Sequence, residues 1–201
     1  MNTDFRCLSW PAVKEAVKQN ALIILPVGML EEHGPHLPVA TDSIIAEQVS
    51  QRVAERLQAR GVPVLVLPVI NTGYTGRRVS EPWPGAIGVQ PETLVTLAYD
   101  VLDSVARMGF RKIAIINGHG QNPASLEIAV RKIADVHDIS VVLTSPAEMI
   151  GAAGAEIRQS EDGGCGGHAD EYETSLMLFL APELVDMSKA SAVDTVRYHS
   201  P

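Results

Sequence analysis

Apolar residues along this chain fall into two patterns: short unbroken runs, and longer stretches spaced to line one face of a helix. Ala21–Val27 is a continuous run, and Val62–Val69, Lys112–Ile116 and Ile139–Thr144 are largely apolar stretches read as three further strands. Unbroken apolar character over strand length marks a strand covered on both faces. Between them, Trp10–Gln19 has helical spacing, with Ser9 as N-cap and Pro11 in the first turn. A second helix is expected after Thr41 as cap, because Ile45, Val49, Val53 and Leu57 recur at every fourth position before Gly61 ends it. Helices are also predicted from Pro91 to about Met108, onward from Pro123, and from His168 to Leu180, where Pro182 stops the last one. Alternating strand and helix predicts one α/β domain over residues 1–201, with a mostly parallel sheet and right-handed crossovers that place helices on both of its faces.

The stretches between the elements are unequal. Ile70–Val89 is rich in Gly, Pro and Arg, and a loop that long in a compact domain is usually functional or mobile. From Ser145 to Gly167 the pattern loosens, and the tail from Asp186 has little periodicity. In open α/β sheets, ligands bind outside the carboxyl ends of the strands. Three polar loops share that rim here: 28–42, 70–90 and 117–122.

Composition narrows the partners. The net charge is −8, and nucleic acid or an anionic membrane as main partner would need a basic face. No apolar run approaches the ~20 residues of a membrane span. The first ten residues lack the basic and apolar regions of a signal peptide, and Cys7 and Cys165 fit no paired metal spacing. A cytoplasmic protein with reduced thiols and a small-molecule substrate is the expectation.

The loop after the first strand is where the chemistry concentrates. Glu31 and His33 alternate, so a locally extended backbone projects both to one side, and Asp42 follows at the first turn of the next helix. Carboxylate oxygen with imidazole nitrogen suits zinc, manganese or iron better than calcium. His119, in Asn117-Gly118-His119-Gly120-Gln121-Asn122, follows another buried strand, and the flanking glycines are read as letting the backbone turn and the ring reach outward. His168 and Glu173 lie behind a glycine-rich loop, and a histidine there is suited to general acid–base work. His36 is read as a loop hydrogen-bonder. Arg77 and Arg78 offer guanidinium groups to an anionic substrate, and Trp83, between Pro82 and Pro84, either lines the pocket wall or plugs the loop.

Together, Gly28-x-x-Glu31-x-His33-Gly34-Pro35-His36-Leu37-Pro38 with Asp42, Asn117-Gly118-His119-Gly120, and His168-Ala169-x-x-x-Glu173-Thr174-Ser175 resemble the creatininase (creatinine amidohydrolase) family, in order from about Leu8 to Val185. The resemblance implies a three-layer α/β/α sandwich, hydrolysis of an amide or cyclic amide by a metal-activated water, and a homo-oligomer, commonly a hexamer. It implies that Glu31, Asp42 and His119 hold one divalent ion, and that His33 and Asp42 face a second, with Asp42 bridging. His168 then corresponds to the proton-transferring histidine and Glu173 to the glutamate of the closing motif. Gln121 stands where creatininase has a glutamate serving the second metal, which leaves that site weak, absent or completed by Glu173; Gln121 then becomes a substrate contact. Gly120 replaces an aromatic residue and Gly167 an acid, so a substrate other than creatinine is expected. Ring opening of a ketoinositol by C–C hydrolysis, and a non-catalytic metal-binding role, are the alternatives.

Overall fold

The computed structural model describes residues 2–76, 83–160 and 167–190. Its centre is a four-stranded parallel sheet in the order β2-β1-β3-β4. The strands are β1 (Leu22–Val27), β2 (Val64–Val66), β3 (Lys112–Asn117) and β4 (Ser140–Thr144). The helices are α1 (Trp10–Lys18), α2 (Thr41–Ala59), α3 (Pro91–Met108), α4 (Pro123–Ala134), α5 (Pro146–Ile157) and α6 (Glu171–Leu180). Registers such as Ile24↔Val66, Ile24↔Ala114 and Ala114↔Val142 align the strands, so β1 and β3 end level, at Val27↔Asn117.

Side chains alternate across a strand, so each strand feeds two cores. On one face Ile23, Leu25, Ile113 and Ile115 meet Ala16 from α1, Leu94 and Leu102 from α3, Leu126 and Ile133 from α4, and Phe110 between elements. On the other, Ile24, Val64, Val66 and Ile116 pack against α2 through Ala54, Val49, Val53 and Leu57. A third cluster, Leu37, Ile45, Met177 and Ala181, fastens α6 to α2 and to the loop after β1. Helices therefore cover both faces of a parallel sheet, the expected three-layer α/β/α arrangement. Phe110 is buried to 1% exposure in the first core. Phe110→Ala is expected to cost about 3–5 kcal/mol in chemical denaturation, as large-to-small substitutions at such sites do.

Several boundaries differ from expectation, each for a local reason. Thr41 does not cap α2: Ala40 occupies the N-cap, and the Thr41 hydroxyl donates to the Pro38 carbonyl at 2.7 Å. Ser9 sits at the N-cap of α1 but makes no side-chain cap bond. The second strand shrinks to Val64–Val66 because Pro63 and Pro68, which have no N–H, bracket it. The last helix begins at Glu171 and not at His168, since the Asp170 carboxylate caps it by accepting the Glu173 N–H at 3.0 Å. Ser145–Gly167, where the pattern loosened, contains α5, started by a capping box between Ser145 and Glu148 and kinked at Gly151. Among the described residues, no helix is long and apolar enough to cross a membrane.

Candidate metal centre

The ends of β1 and β3 lie side by side, and the first turn of α2 is pressed against both. A Cβ on Gly28 would strike the Ser43 backbone, and one on Gly118 the Asp42 carbonyl. Gly118 is thus glycine for close approach, since it lacks the positive φ that a sharp turn demands, and so does Gly120. That corrects the turn reading for Gly118, whereas Gly120 does lie in a turn, closed by the Asn122 N–H donating to the His119 carbonyl at 3.3 Å. Asn122, fully buried, ties the rim together: its amide donates to the Gly28 carbonyl and to Asn117 Oδ1, and its Oδ1 accepts the Tyr74 N–H.

This scaffold converges Glu31, His33, Asp42 and His119, each at most 4% exposed. Asp42 lies at the centre. Its Oδ2 is 2.9 Å from Nδ1 of His119, and its Oδ1 is 2.9 Å from Nε2 of His33. His119 Nδ1 also approaches Glu31 Oε1 at 3.0 Å, and His33 Nε2 approaches Glu173 Oε2 at 3.6 Å. Among the described residues, ligand atoms gather in three groups, Glu31–Asp42–His119, His33–Asp42–Glu173 and Glu31–His33–His168, each with its atoms within 4.8 Å of one another. The first two share Asp42.

Whether these residues fit a cation can be decided from the far nitrogen of each ring. His119 Nε2 lies 2.9 Å from the Tyr74 carbonyl, and His33 Nδ1 lies 3.1 Å from the Glu31 carbonyl. A carbonyl only accepts, so both of these nitrogens carry hydrogen. The remaining nitrogen of each ring faces carboxylate oxygens with a lone pair, and two acceptors at 2.9 Å need a positive centre between them. A divalent ion and a proton both satisfy that, and a backbone carbonyl orienting a histidine is the usual second layer of a metal site. The donor set fits a divalent metal.

Without the metal, protons fill the same role. Burial disfavours the imidazolium of His33, but the Asp42 hydrogen bond and the charges of Asp42 and Glu173 outweigh it and raise the pKa to about 9. For His119 burial is likewise overcome, by Asp42 and Glu31, and the pKa rises to about 10. Burial lifts Glu173 to about 8, with His33 opposing and Asp42 adding to the shift. Burial also raises Asp42, but hydrogen bonds from His119 and His33 prevail and hold it below its usual value.

The raised histidine pKa values stabilise the metal-free fold fully below 6.5, and that contribution is lost as pH rises through about 9 and 10. Metal must displace these protons. Calorimetric titration with zinc or manganese is therefore expected to show affinity rising with pH from about 6.5 to 9 and proton release on binding, while the melting temperature of the metal-free protein falls over the same range.

The other candidate residues are placed as follows. His168 sits in the turn before α6, its ring centroid 4.3 Å from that of His33 and its Nδ1 3.6 Å from Glu31 Oε1. Ala169, at φ 52°, holds that turn with its N–H donating to Glu173 Oε2 at 2.6 Å. Gln121 is engaged elsewhere: its Oε1 accepts the Gly76 N–H at 3.1 Å and its amide donates to Thr75 Oγ1 at 3.2 Å. Trp83 is 42% exposed, and Arg77, Arg78 and Cys165 lie outside the described residues. His36 pins the loop to α6 through a 2.9 Å contact with the Thr174 hydroxyl, and burial lowers its pKa. Sequence reasoning missed Asn122 and also Glu32, whose Oε1 lies 3.1 Å from His168 Nε2. No residue-type signal marked Asn122; Glu32 was visible as the second acid of the loop.

Comparison with known proteins agrees with the geometry. The Creatininase family, described as creatinine amidohydrolase, matches residues 6–200. Creatinine amidohydrolase of Pseudomonas putida is 32% identical over 196 residues, covering 90% of this chain and 73% of that protein. The 3-dehydro-scyllo-inosose hydrolase of Thermotoga maritima is 30% identical, covering 95% of this chain and 60% of its own length. A mycofactocin precursor peptide peptidase of Mycobacterium ulcerans is 34% identical, covering 85% and 62%. The chain thus spans under two thirds of the latter two relatives. A crystal structure of creatinine amidohydrolase superposes with a TM-score of 0.84 at 30% identity, covering 94% of this chain and 76% of that one. Similar solved structures include a Zn–Zn form and a Mn form of creatininase. The chain belongs to the creatininase family of hydrolases.

Proposed function

We propose that this protein is a cytoplasmic metal-dependent hydrolase that adds water to the carbonyl of an amide or cyclic amide and cleaves its C–N bond. The observation that carries the reading is the pair of buried imidazole–carboxylate groups sharing Asp42. In this reading Glu31, Asp42 and His119 hold one divalent ion, and His33, Asp42 and Glu173 hold a second, with Glu173 taking the role left open by Gln121. A divalent ion in such a site polarises a carbonyl oxygen and brings the pKa of bound water to about 7. The chain's own residues do the rest. Tyr74 and Glu31 carbonyls orient His119 and His33, and the first turn of α2 holds Asp42 between them. His168, at the edge of the cluster, moves the proton from the attacking water to the leaving nitrogen.

The 3-dehydro-scyllo-inosose hydrolase relative supports a second reading, C–C hydrolysis that opens a ring beside a ketone. A substrate panel separates the readings: creatinine and other cyclic amides, lactones, short amides and 3-dehydro-scyllo-inosose, each tested with the zinc- and manganese-loaded protein. Hydrolysis of a cyclic amide that is lost on chelation and restored by metal supports the first reading. Turnover of the keto-inositol alone supports the second, and bound metal with no turnover across the panel supports a non-catalytic metal protein. We further propose a homo-oligomer, hexameric by family resemblance, which light scattering after gel filtration tests.

A further inference from the structure

Glu32 lies between two ligand residues but belongs to none of the three groups of ligand atoms. Both of its oxygens are nonetheless engaged. Oε2 accepts the Gly34 N–H at 3.0 Å, which fixes the carboxylate on its own loop, and Oε1 lies 3.1 Å from Nε2 of His168 across 136 residues of chain. The two side chains are only 23% and 17% exposed, so this is not a solvated surface pair. The His168 turn is held independently, by the Asp170 carboxylate accepting the Gly167 N–H and by Glu173 accepting the Ala169 N–H.

An ionised carboxylate only accepts hydrogen bonds, so the nitrogen facing Glu32 carries hydrogen and the lone pair falls on Nδ1. Nδ1 is the nitrogen turned toward the cluster, 3.6 Å from Glu31 Oε1, with the ring tilted 44° to that of His33. We propose that Glu32 is the positioning residue of His168: it fixes the Nε2–H tautomer and thereby makes Nδ1 the proton-transferring atom. The inference rests on the hydrolase reading above and adds the atom and its partner. Nδ1 takes one proton from the attacking water as the water oxygen bonds to the carbonyl carbon. It then gives that proton to the leaving nitrogen as the C–N bond breaks, and returns to its starting state. Glu32 accepts the Nε2–H bond throughout and takes no proton itself, as the orienting carboxylate of a histidine dyad does.

Nitrogen-15 NMR of the imidazole rings tests this on the full chain loaded with zinc, with His168 assigned through a His168→Gln variant. The wild type is expected to show a single tautomer for His168, protonated at Nε2. Glu32→Ala is expected to lose that single tautomer, with zinc content and melting temperature unchanged. Glu32→Gln, whose amide oxygen still accepts, is expected to restore it. A His168 protonated at Nδ1 in the wild type, or an unchanged ring in Glu32→Ala, overturns the proposal while leaving the hydrolase reading intact. His168 also falls within 4.8 Å of Glu31 and His33 as a third ligand group. Coupling of its Nδ1 to cadmium-113 in cadmium-loaded protein makes it a ligand and likewise overturns the proposal. Failure of the wild type to bind zinc defeats the hydrolase reading instead, and this inference with it.

Discussion

Asp42→Ala is expected to release the bound metal and to lower turnover at least about 10³-fold, because Lewis-acid polarisation by a bound ion is worth several kcal/mol and each 1.36 kcal/mol is tenfold. The effect exceeds that of any other single ligand change because Asp42 serves both groups, one oxygen to each histidine. His119→Ala and His33→Ala each remove a ligand from one group and leave the other whole. Elemental analysis of the purified variants separates the cases: Asp42→Ala should hold no stoichiometric metal, whereas each histidine variant should keep a fraction. In the metal-free state the sign is also fixed. Asp42 is the principal group that keeps both imidazoles protonated, so its loss should bring the His33 and His119 pKa values down from about 9 and about 10. Stoichiometric metal retained in Asp42→Ala would show that the cluster is not built around this carboxylate.

The two glycines flanking His119 give the second large prediction. A Cβ at Gly118 would collide with the Asp42 carbonyl in the first turn of α2, whereas one at Gly120 meets nothing within 4 Å. Overpacking of this kind costs about 1–3 kcal/mol, and it can be relieved only by moving backbone. The backbone that must move carries Asp42, so Gly118→Ala should separate Asp42 from His119 and weaken metal binding as well as stability. Displacements of ~1 Å in positioned groups can cost about 10²-fold in rate. Gly120→Ala should leave metal content, turnover and melting temperature near wild type. Calorimetric metal titration of the pair reads the contrast; equal effects, or none, would mean that the close approach of α2 to β3 does not set the site.

Much of this was legible in the sequence because the relevant signals are local. An unbroken apolar run gave β1, covered on both faces, and four-residue spacing gave α2; β4, at the sheet edge with Ser140 and Val142 exposed, was legible from a shorter apolar core. The ligand loop was legible for a related reason: crowding Glu31, His33 and Asp42 into one turn-rich segment requires a physical explanation. The brackets of β2 by Pro63 and Pro68, and the Ser145–Glu148 capping box that starts α5, were also present as residues. The cap and Pro146 in the first turn were the signals for α5. What could not be read was long-range. That Gly118 is glycine because α2 arrives beside it, that Asn122 joins three loops, and that Glu32 meets His168 all depend on packing between segments far apart in the chain. The same holds for Gln121, whose engagement with Thr75 and Gly76 was invisible until the 70s loop was placed. His168 was singled out, but its place in a capped turn ahead of α6 depended on Asp170, which sequence alone presented as one acid among several.

In the proposed centre two cation positions share Asp42, with Glu173 and not Gln121 closing the second. Anomalous diffraction from crystals of the manganese- or zinc-loaded protein tests it most directly. Two peaks flanking the Asp42 carboxylate are expected, one against Glu31 and His119 and the other against His33 and Glu173. Absence of any peak at Asp42, or a second peak bound by Gln121 with Glu173 turned away, would contradict it.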